Sequence, residues 1–397
     1  MEKKSFKSYM KTALIFIFAI ALILVGVVVM ASGTFQKKAY LEPWAKEYYA
    51  KFKDPRIQLA AHGLLAANGH NMQPWKLKLD DSDPLKFDLF VDTNKLALKA
   101  DPFARQTIIS QGTFLEYIRV AGLKLGYETA FDLFPDGEYD ENNIINSMKE
   151  KPVARISLKK TIETEDTLYD YLYLPDTNRG AYKDVALSNK QVAELETIAT
   201  NSGIRIKIFQ DNENKRKLGE YAINGAEIES QVKRISEKSA AIFRANEYQK
   251  NKYRYGFSLD GQGSTGIKKH VMQSLITIFP SMNNEKTSAD LFVKSTKEAV
   301  DKTPAYAVMI ADNNSRKLQV MSGIYYSRLV LTAHKLGLAM QPPSQVLEEY
   351  EEMKDQYRGI HREYANNGET IQMFFRMGLP INEYPVSMRQ DIMSIIE

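Results

Sequence analysis

At 397 residues, with 44% hydrophobic and 26% charged side chains, the chain is long enough to bury a large core in one or two domains. Its net charge of +4 is spread along the sequence, which excludes the clustered basic footprint of a nucleic-acid binder. It has no cysteine, which excludes disulfides, thiolate metal sites and a lipid-modified N-terminal cysteine.

The first predicted element is an apolar helix. Lys3, Lys4, Lys7 and Lys11 lead into an uncharged apolar run over residues 13–30. As a helix that run is about 27 Å long, close to the ~30 Å hydrocarbon core of a bilayer. The leading lysines predict a cytoplasmic N-terminus and an extracytoplasmic globular part, a bias that Lys37 and Lys38 weaken without reversing. A cleaved signal peptide is the rival reading. Its apolar region is usually about 7–15 residues and ends at a small-x-small site, which Met30-Ala31-Ser32-Gly33 matches poorly. The expectation is a single-pass anchor over 1–33 in the cell membrane, then a linker over 34–53 with a helix over 41–53.

A helix over 55–67 leads into Asn68-Gly69-His70-Asn71-Met72-Gln73-Pro74-Trp75. Small and amide residues let a backbone approach a flat polar ligand. Asn71 and Gln73 each donate and accept, and Pro74 biases Gln73 toward extended chain. An ordinary helix-to-strand loop would read the same way. Strands are predicted over 75–79 and 86–91, on either side of the turn Asp80-Asp81-Ser82-Asp83-Pro84. A helix over 102–125 follows, with Ile108, Leu115, Ile118 and Leu125 on one face and Gly112 and Gly122 between them. Gly126 is placed to end it, and 152–158 reads as a strand.

Gly112 through Lys124-Leu125-Gly126 reappears as Gly323 through Lys335-Leu336-Gly337, at a constant offset of 211 residues. A strand over 305–311 precedes the second helix, and another over 371–377 closes the chain. The simplest reading is two copies of one α+β unit about a pseudo-twofold axis, over 54–160 and 161–397. The second copy carries a charge-rich, mostly helical insertion over 212–300. Within it, Tyr255-Gly256-Phe257-Ser258-Leu259-Asp260-Gly261-Gln262-Gly263 is glycine-rich without the strand that a nucleotide fingerprint needs. The insertion reads as a lid over a cleft.

Five blocks stand in order over more than 300 residues: Gly69 to Trp75, Asp101-Pro102 with Arg105 and the Gly112 helix, Thr177-Asn178-Arg179-Gly180-Ala181-Tyr182, Gly337-Leu338-Ala339-Met340-Gln341-Pro342, and Gln372 to Pro380 with Pro385 and Arg389. Together they resemble the nitroreductase family of flavin oxidoreductases, in its double-length Acg-like FMN-binding branch. The resemblance implies a nitroreductase-like α+β fold of two fused pseudo-symmetric units, each a mainly antiparallel sheet with flanking helices. It also implies one FMN between the halves, since each motif occurs once, and a monomeric pseudo-dimer. The implied cofactor-binding residues are Asn68, Gly69, His70, Asn71, Gln73, Thr177, Asn178, Arg179, Pro342, Pro343, Ser344, Gln345 and Arg389. Arg179, Thr177 and Arg389 would hold the phosphate. Asn71, His70 and the backbone at Gly69 would hold the ribityl chain or pyrimidine edge. Ser344 and Gln345, after Pro342-Pro343, would offer backbone N–H groups to flavin N5. The sequence departs from the family at Pro175, where the first phosphate arginine falls, and Asp176 follows it. The lost charge-assisted bond is worth about 1–3 kcal/mol, with Arg376 and Lys335 as candidate substitutes.

Other chemistry is sparse. His62, His70, His270, His334 and His361 form no pair at metal-ligand spacing, and no metal site is expected. His62 and His334 read as packed residues, as do Tyr325 and Tyr326. Glu348-Glu349 and Glu351-Glu352 read as a solvated helix face. No protein acid or base is assigned to catalysis, because the flavin carries the chemistry. The leading expectation is a membrane-tethered FMN oxidoreductase that reduces a nitroaromatic, quinone or similar acceptor, with NAD(P)H or a quinol as donor. Alternatives are a flavin-sequestering protein whose lid covers the cofactor, and a scaffold that has lost FMN.

Overall fold

The computed structural model describes residues 2–164 and 166–397. The side chains of Lys3, Lys4 and Lys7, on which the predicted membrane orientation partly rests, lie outside the described residues. Helix α1 (Glu2–Ser32) contains a stretch, Ser8–Ser32, long and apolar enough to cross a membrane. It is exposed up to Val27, but Val28 and Val29 are half-buried and Ser32 is buried against the rest of the chain. The linker is not the predicted helix. It forms two 3-10 turns, Ala39–Trp44 and Tyr48–Lys51, because Pro43 removes a donor and neither turn has a side-chain cap.

Helix α2 (Pro55–Gly63) starts at an Asp54 cap with proline in its first turn. Strands β1 (Trp75–Leu79) and β2 (Lys86–Val91) fall on their predicted bounds. Helix α3 (Arg105–Lys124) starts later than predicted, because Ala104 is left-handed and the Asp101 carboxylate accepts from the N–H groups of Gln106 and Thr107. Strand β3 (Tyr127–Leu133), helix α4 (Ile144–Glu150) and strand β4 (Ala154–Lys160) complete a four-stranded sheet in the order β1-β2-β4-β3.

After α5 (Asn189–Glu196) and β5 (Ile204–Phe209) comes the insertion, helical as expected. It comprises α6 (Asn212–Gln231), α7 (Lys233–Ile242), β6 (Phe243–Arg244), α8 (Glu247–Tyr253), β7 (Phe257–Ser258), α9 (Gly266–Ile278) and α10 (Glu285–Asp301). Strand β8 (Ala305–Ala311), α11 (Arg316–Lys335), β9 (Ala339–Gln341), α12 (Lys354–Tyr364) and β10 (Thr370–Gly378) follow. The second four-stranded sheet runs β5-β8-β10-β9, and all neighbours in both large sheets are antiparallel.

Helices α3 and α11 cross between the sheets with glycine against glycine. A Cβ on Gly112 would fall on the Val320 carbonyl, 2.9 Å from the Gly323 Cα, and a Cβ on Gly323 would fall on the Ile109 carbonyl, 2.9 Å from the Gly112 Cα. Each helix also sends its first arginine into the other half. Arg105 donates to the carbonyls of Leu347 (2.7 Å) and Gln372 (2.8 Å). Arg316 donates to the Phe103 carbonyl (2.8 Å) and pairs with Glu141 at 2.7 Å. The C-terminal tail does not stay with the second sheet. Ile392 and Ile395 join the core under the first sheet, and the N–H of Glu397 donates to the Leu77 carbonyl at 2.8 Å.

Candidate functional site

The Asn68–Trp75 turn carries unusual backbone strain. His70, Asn71 and Gln73 all have φ near 52°, the left-handed region, which costs non-glycine residues about 1–2 kcal/mol each. The surroundings hold it in place. Asn68 Oδ1 accepts from the Gln73 N–H at 2.7 Å, and the Gly69 N–H donates to Ser110 Oγ at 3.1 Å. Trp75, fully buried, donates from Nε1 to the Ser110 carbonyl at 2.7 Å. The strain aims the Asn71 and Gln73 amides outward, where protein groups take them up. Asn71 Nδ2 donates to the carbonyls of Gly256 (2.9 Å) and Met388 (3.1 Å), and its Oδ1 accepts from Arg389 at 3.0 Å. Gln73 Nε2 donates to the Arg254 carbonyl at 2.9 Å, and its Oε1 accepts from the Gln390 N–H at 2.8 Å. These amides hold the lid and the tail, a use that their spacing did not reveal.

The second motif lies alongside. The Asn178 N–H donates to the Met340 carbonyl at 2.8 Å, so Thr177-Asn178-Arg179 borders the strand that leads into Pro342-Pro343. Asn178 is buried, with Nδ2 on the Asn382 carbonyl and Oδ1 accepting from the Gly180 N–H. Asp176 turns inward. Its carboxylate accepts from the Ala67 N–H at 2.6 Å and from the Tyr117 hydroxyl, and lies within the field of Arg389. Burial raises its pKa to about 6 against those three opposing contacts. Asp176 therefore ties the two motifs together and does not project toward a ligand. Of the two proposed substitute cations, Arg376 is taken up by protein groups and Lys335 is exposed. Arg376 is buried, donating to Gln341 Oε1 and the Gly180 carbonyl at 2.6 Å each, and Lys335 contacts Thr167 Oγ1.

Arg179 itself is exposed, with Nη1 on the Gly261 carbonyl at 3.0 Å. Surrounding protein nevertheless lowers its pKa, as it does that of half-buried His70. Exposure decides what a ligand can reach, and Arg179 is the more open of the two. Two small hollows share His70 as a wall, one against Gly69 and Asp101, the other against Ile235 and Lys238 of α7, with cavity volumes of about 10 Å³ each, room for about one water. A usual cofactor pocket is about 300–1,000 Å³, so a flavin would require the overlying segment to move. The glycine-rich segment of the insertion bonds both motifs. Gly256 exchanges bonds with Asn71 through its N–H (2.9 Å) and carbonyl, while Gly261 accepts from Arg179.

The donors fit a phosphate at the Arg179 end. Buried donors without a partner include Arg389 Nε and the Tyr326 hydroxyl, and the charges of Asp176 and Arg179 both act on that hydroxyl. Orphaned buried donors beside an open guanidinium suit an anionic group. Tyr326 was read from the sequence as core, and nothing in its helical spacing marked it otherwise. The remaining segment sits apart from the phosphate end. Ser344 Oγ donates to the Phe374 carbonyl at 3.1 Å, and Gln345 packs against Gly225 of α6. His62 and His334 are packed as expected, burial lowering each to about 4. No metal-holding cluster occurs among the described residues.

Glu348 is not on a solvated face. It and Glu229 are buried, and each leaves its Oε2 without a partner. Burial raises Glu229 to about 7, and burial with the Glu229 and Asp101 charges raises Glu348. A carboxyl raised in the folded state binds more protons there than when unfolded, so it costs stability as pH rises through about 4.5 to 7 and above. Glu229→Gln removes that cost. Its stability should match the parent near pH 4 and exceed it at pH 8 by about 2–3 kcal/mol. Equal thermal shifts at both pH values would contradict the assignment.

No protein-family model matches the chain, and no curated protein is significantly similar to it in sequence. Solved structures of similar fold include a nitroreductase-like family protein from Bacillus cereus, at 11% identity and TM-score 0.32, covering 60% of this chain and 98% of that one. A BluB-like flavoprotein from Clostridium difficile 630 aligns at 10% identity and TM-score 0.35, covering 58% and 98%. The FMN-dependent nitroreductase NfnB from Mycobacterium smegmatis, solved with NADPH, aligns at 13% identity and TM-score 0.33, covering 55% and 92%. The mixed helix-and-sheet chain is thus similar to nitroreductase-like FMN proteins, at TM-scores too low to carry an argument about its chemistry.

Proposed function

We propose that the chain is a membrane-tethered, FMN-dependent oxidoreductase of the nitroreductase type, anchored by α1 and built from two pseudo-symmetric halves that share one cofactor site. Reciprocity at the centre supports the two halves. Gly112 and Gly323 meet each other, and Arg105 and Arg316 cross in opposite directions, all at the same 211-residue offset. Matching α3 to α11 carries the sheet order β1-β2-β4-β3 onto β5-β8-β10-β9 strand for strand.

The feature that supports this reading is that one glycine-rich segment bonds both the Asn71 turn, through Gly256, and Arg179, through Gly261. Arg179 grips the phosphate, with Thr177, the Tyr326 hydroxyl and Arg389 Nε as further donors. Gly69 and His70 border the ring end. Bound FMN supplies transfer of hydride or electrons from NAD(P)H or a quinol to a nitroaromatic, quinone or similar acceptor. The protein's share is to hold the cofactor at a seam and keep water out with the lid.

A second reading, flavin sequestration, is favoured by the bonds of Gly256 and Gly261 to both walls, which would leave no room for an acceptor to stack. The spectrum of purified full-length protein separates these. Flavin absorbance that bleaches with NADPH and returns with a quinone supports the enzyme. Bound flavin inert to donors and acceptors supports the store. No retention after dialysis against excess FMN rejects both. Arg179→Ala should weaken FMN binding by about 10- to 100-fold, the worth of a charge-assisted bond. Because the side chain is exposed, its melting temperature without FMN should not move.

A further inference from the structure

We propose that α9 and the turn after it lie in the interfacial layer of the bilayer that α1 crosses, so that the lid over the proposed site is docked on lipid. The inference rests on the membrane reading above. Ile267, Val271, Ser274 and Ile278 fall on one face of α9. Ile267 is 84% exposed, Val271 37% and Ile278 43%, and the face continues into Phe279 (54%) and Met282 (48%) of the following turn. Lone exposed apolar residues are ordinary, but a run of them along one face, broken only where buried Ser274 meets α1, marks a contact surface.

What covers it is indicated by its neighbour. Ser274 Oγ, in the middle of the stripe, donates to the Val28 carbonyl of α1 at 2.6 Å. Only the end of α1 packs on the lid, while the apolar stretch before Val28 is exposed. A bilayer around that stretch ends where α9 begins, so the stripe continues the lipid-facing surface of the anchor. Exposed Lys37, Lys38 and Lys268 border the same region, as expected of an amphipathic helix seated about 5–10 Å into the boundary of an anionic leaflet.

The docked helix is coupled rigidly to the glycine-rich segment. Tyr40, just after the anchor, donates to Glu247 Oε2 at 2.6 Å. Buried Lys250 and Lys269 each bridge Glu247 to Asp260, Lys250 at 3.2 and 2.5 Å, Lys269 at 3.2 and 3.0 Å. Asp260 precedes Gly261, the acceptor for Arg179. Gly33, with φ of +70°, lies against Tyr248 of α8, where a Cβ would come within 2.9 Å of the ring. Anchor, charge network and glycine-rich segment thus move as one body, and lipid contact at α9 sets the position of the lid.

The cysteine-free chain permits a direct test. Single substitutions Ile267→Cys, Phe279→Cys, Val25→Cys and Lys190→Cys carry a nitroxide in the full-length protein, reconstituted in phosphatidylcholine–phosphatidylglycerol vesicles. Collision rates with oxygen and with a water-soluble nickel complex report depth. The expected result is oxygen-dominated relaxation at 267 and 279, as at 25, and nickel-dominated relaxation at 190. Lipid-like behaviour at 25 with water-like behaviour at 267 and 279 overturns the docking while leaving the anchor. Spin–spin broadening at 279 between protomers overturns it in favour of a second copy on this face. A water-like or cleaved label at 25 removes the membrane reading, and this inference with it.

Discussion

Gly112→Val is expected to destabilise the native fold severely, and Gly323→Val to do the same. At both sites the obstruction is the backbone of the partner helix, so no side chain can swing away to make room. The two helices are each 20 residues long and buried over most of their length between two sheets. Separating them would open voids along the whole contact. Overpacking alone costs about 1–3 kcal/mol. With the voids added, the loss should reach about 4–5 kcal/mol, a large part of the 5–15 kcal/mol that holds an ordinary domain. Alanine at either position would gain about 1 kcal/mol of helix propensity but would still place its Cβ on a carbonyl, so the net sign remains unfavourable. Gly337→Ala is the comparison. Its φ is +74° but nothing lies within 4 Å, so it should cost only about 1–2 kcal/mol. Soluble yield and thermal melts of the three variants check the order, and a Gly112→Ala protein melting at the parental temperature would rule out the close crossing.

That crossing also shows what the sequence could convey. Gly112 and Gly323 stood out as matching positions on two similar helices, because a missing side chain is visible in any register, but nothing local said that they face each other. The strands Trp75–Leu79, Lys86–Val91 and Ala305–Ala311 were legible for the same kind of local reason: apolar or alternating runs bounded by turn residues. The linker was not, because its aromatic residues fit a helix, and the Pro43 break acts together with burial of Tyr40 and Tyr48 to give 3-10 turns. In the site, local signals located the Asn71 turn and the Arg179 segment but could not say which of their groups stay free. Asn71 and Gln73 look like ligands until the lid and tail, more than 180 residues away, are seen to occupy them. Conversely Asp176 looks like a defect in a phosphate motif until Tyr117 and Arg389 are brought against it. Glu348 looks solvated until α6 folds over it with Glu229. Each misreading concerns a polar side chain whose partner is distant in sequence.

Arg389→Met should cost about 3–5 kcal/mol, because it removes several charge-assisted hydrogen bonds to buried acceptors. Arg389 is 3% exposed and donates to the carbonyls of Leu65 (2.7 Å) and Ala66 (3.2 Å) as well as to Asn71. Burial pulls its pKa down to about 10, so it stays charged at neutral pH opposite Asp176. Without it, Asp176 keeps only the Tyr117 hydroxyl and the Ala67 N–H, and its pKa must rise beyond about 6. Between the unfolded value near 3.9 and that raised value the folded protein binds the extra proton, so stability falls as pH rises across the window. The variant extends this fall to higher pH, and its deficit should be larger at pH 8 than at pH 5. Adding Asp176→Asn should return part of the loss at pH 8 and little at pH 5. Urea unfolding of the full chain in detergent at the two pH values measures all three proteins. The contrast with Arg179→Ala then separates two roles that the sequence placed together. Arg179 is exposed beside the glycine-rich segment, and its loss should be read in FMN affinity at unchanged stability. Arg389 joins the turn to the tail, and its loss should be read in stability first, with FMN affinity falling as well through the lost Nε donor and the turn it no longer holds. A pH-independent deficit in Arg389→Met would mean that Asp176 carries no charge in the folded protein, and that its arginine serves the carbonyls alone.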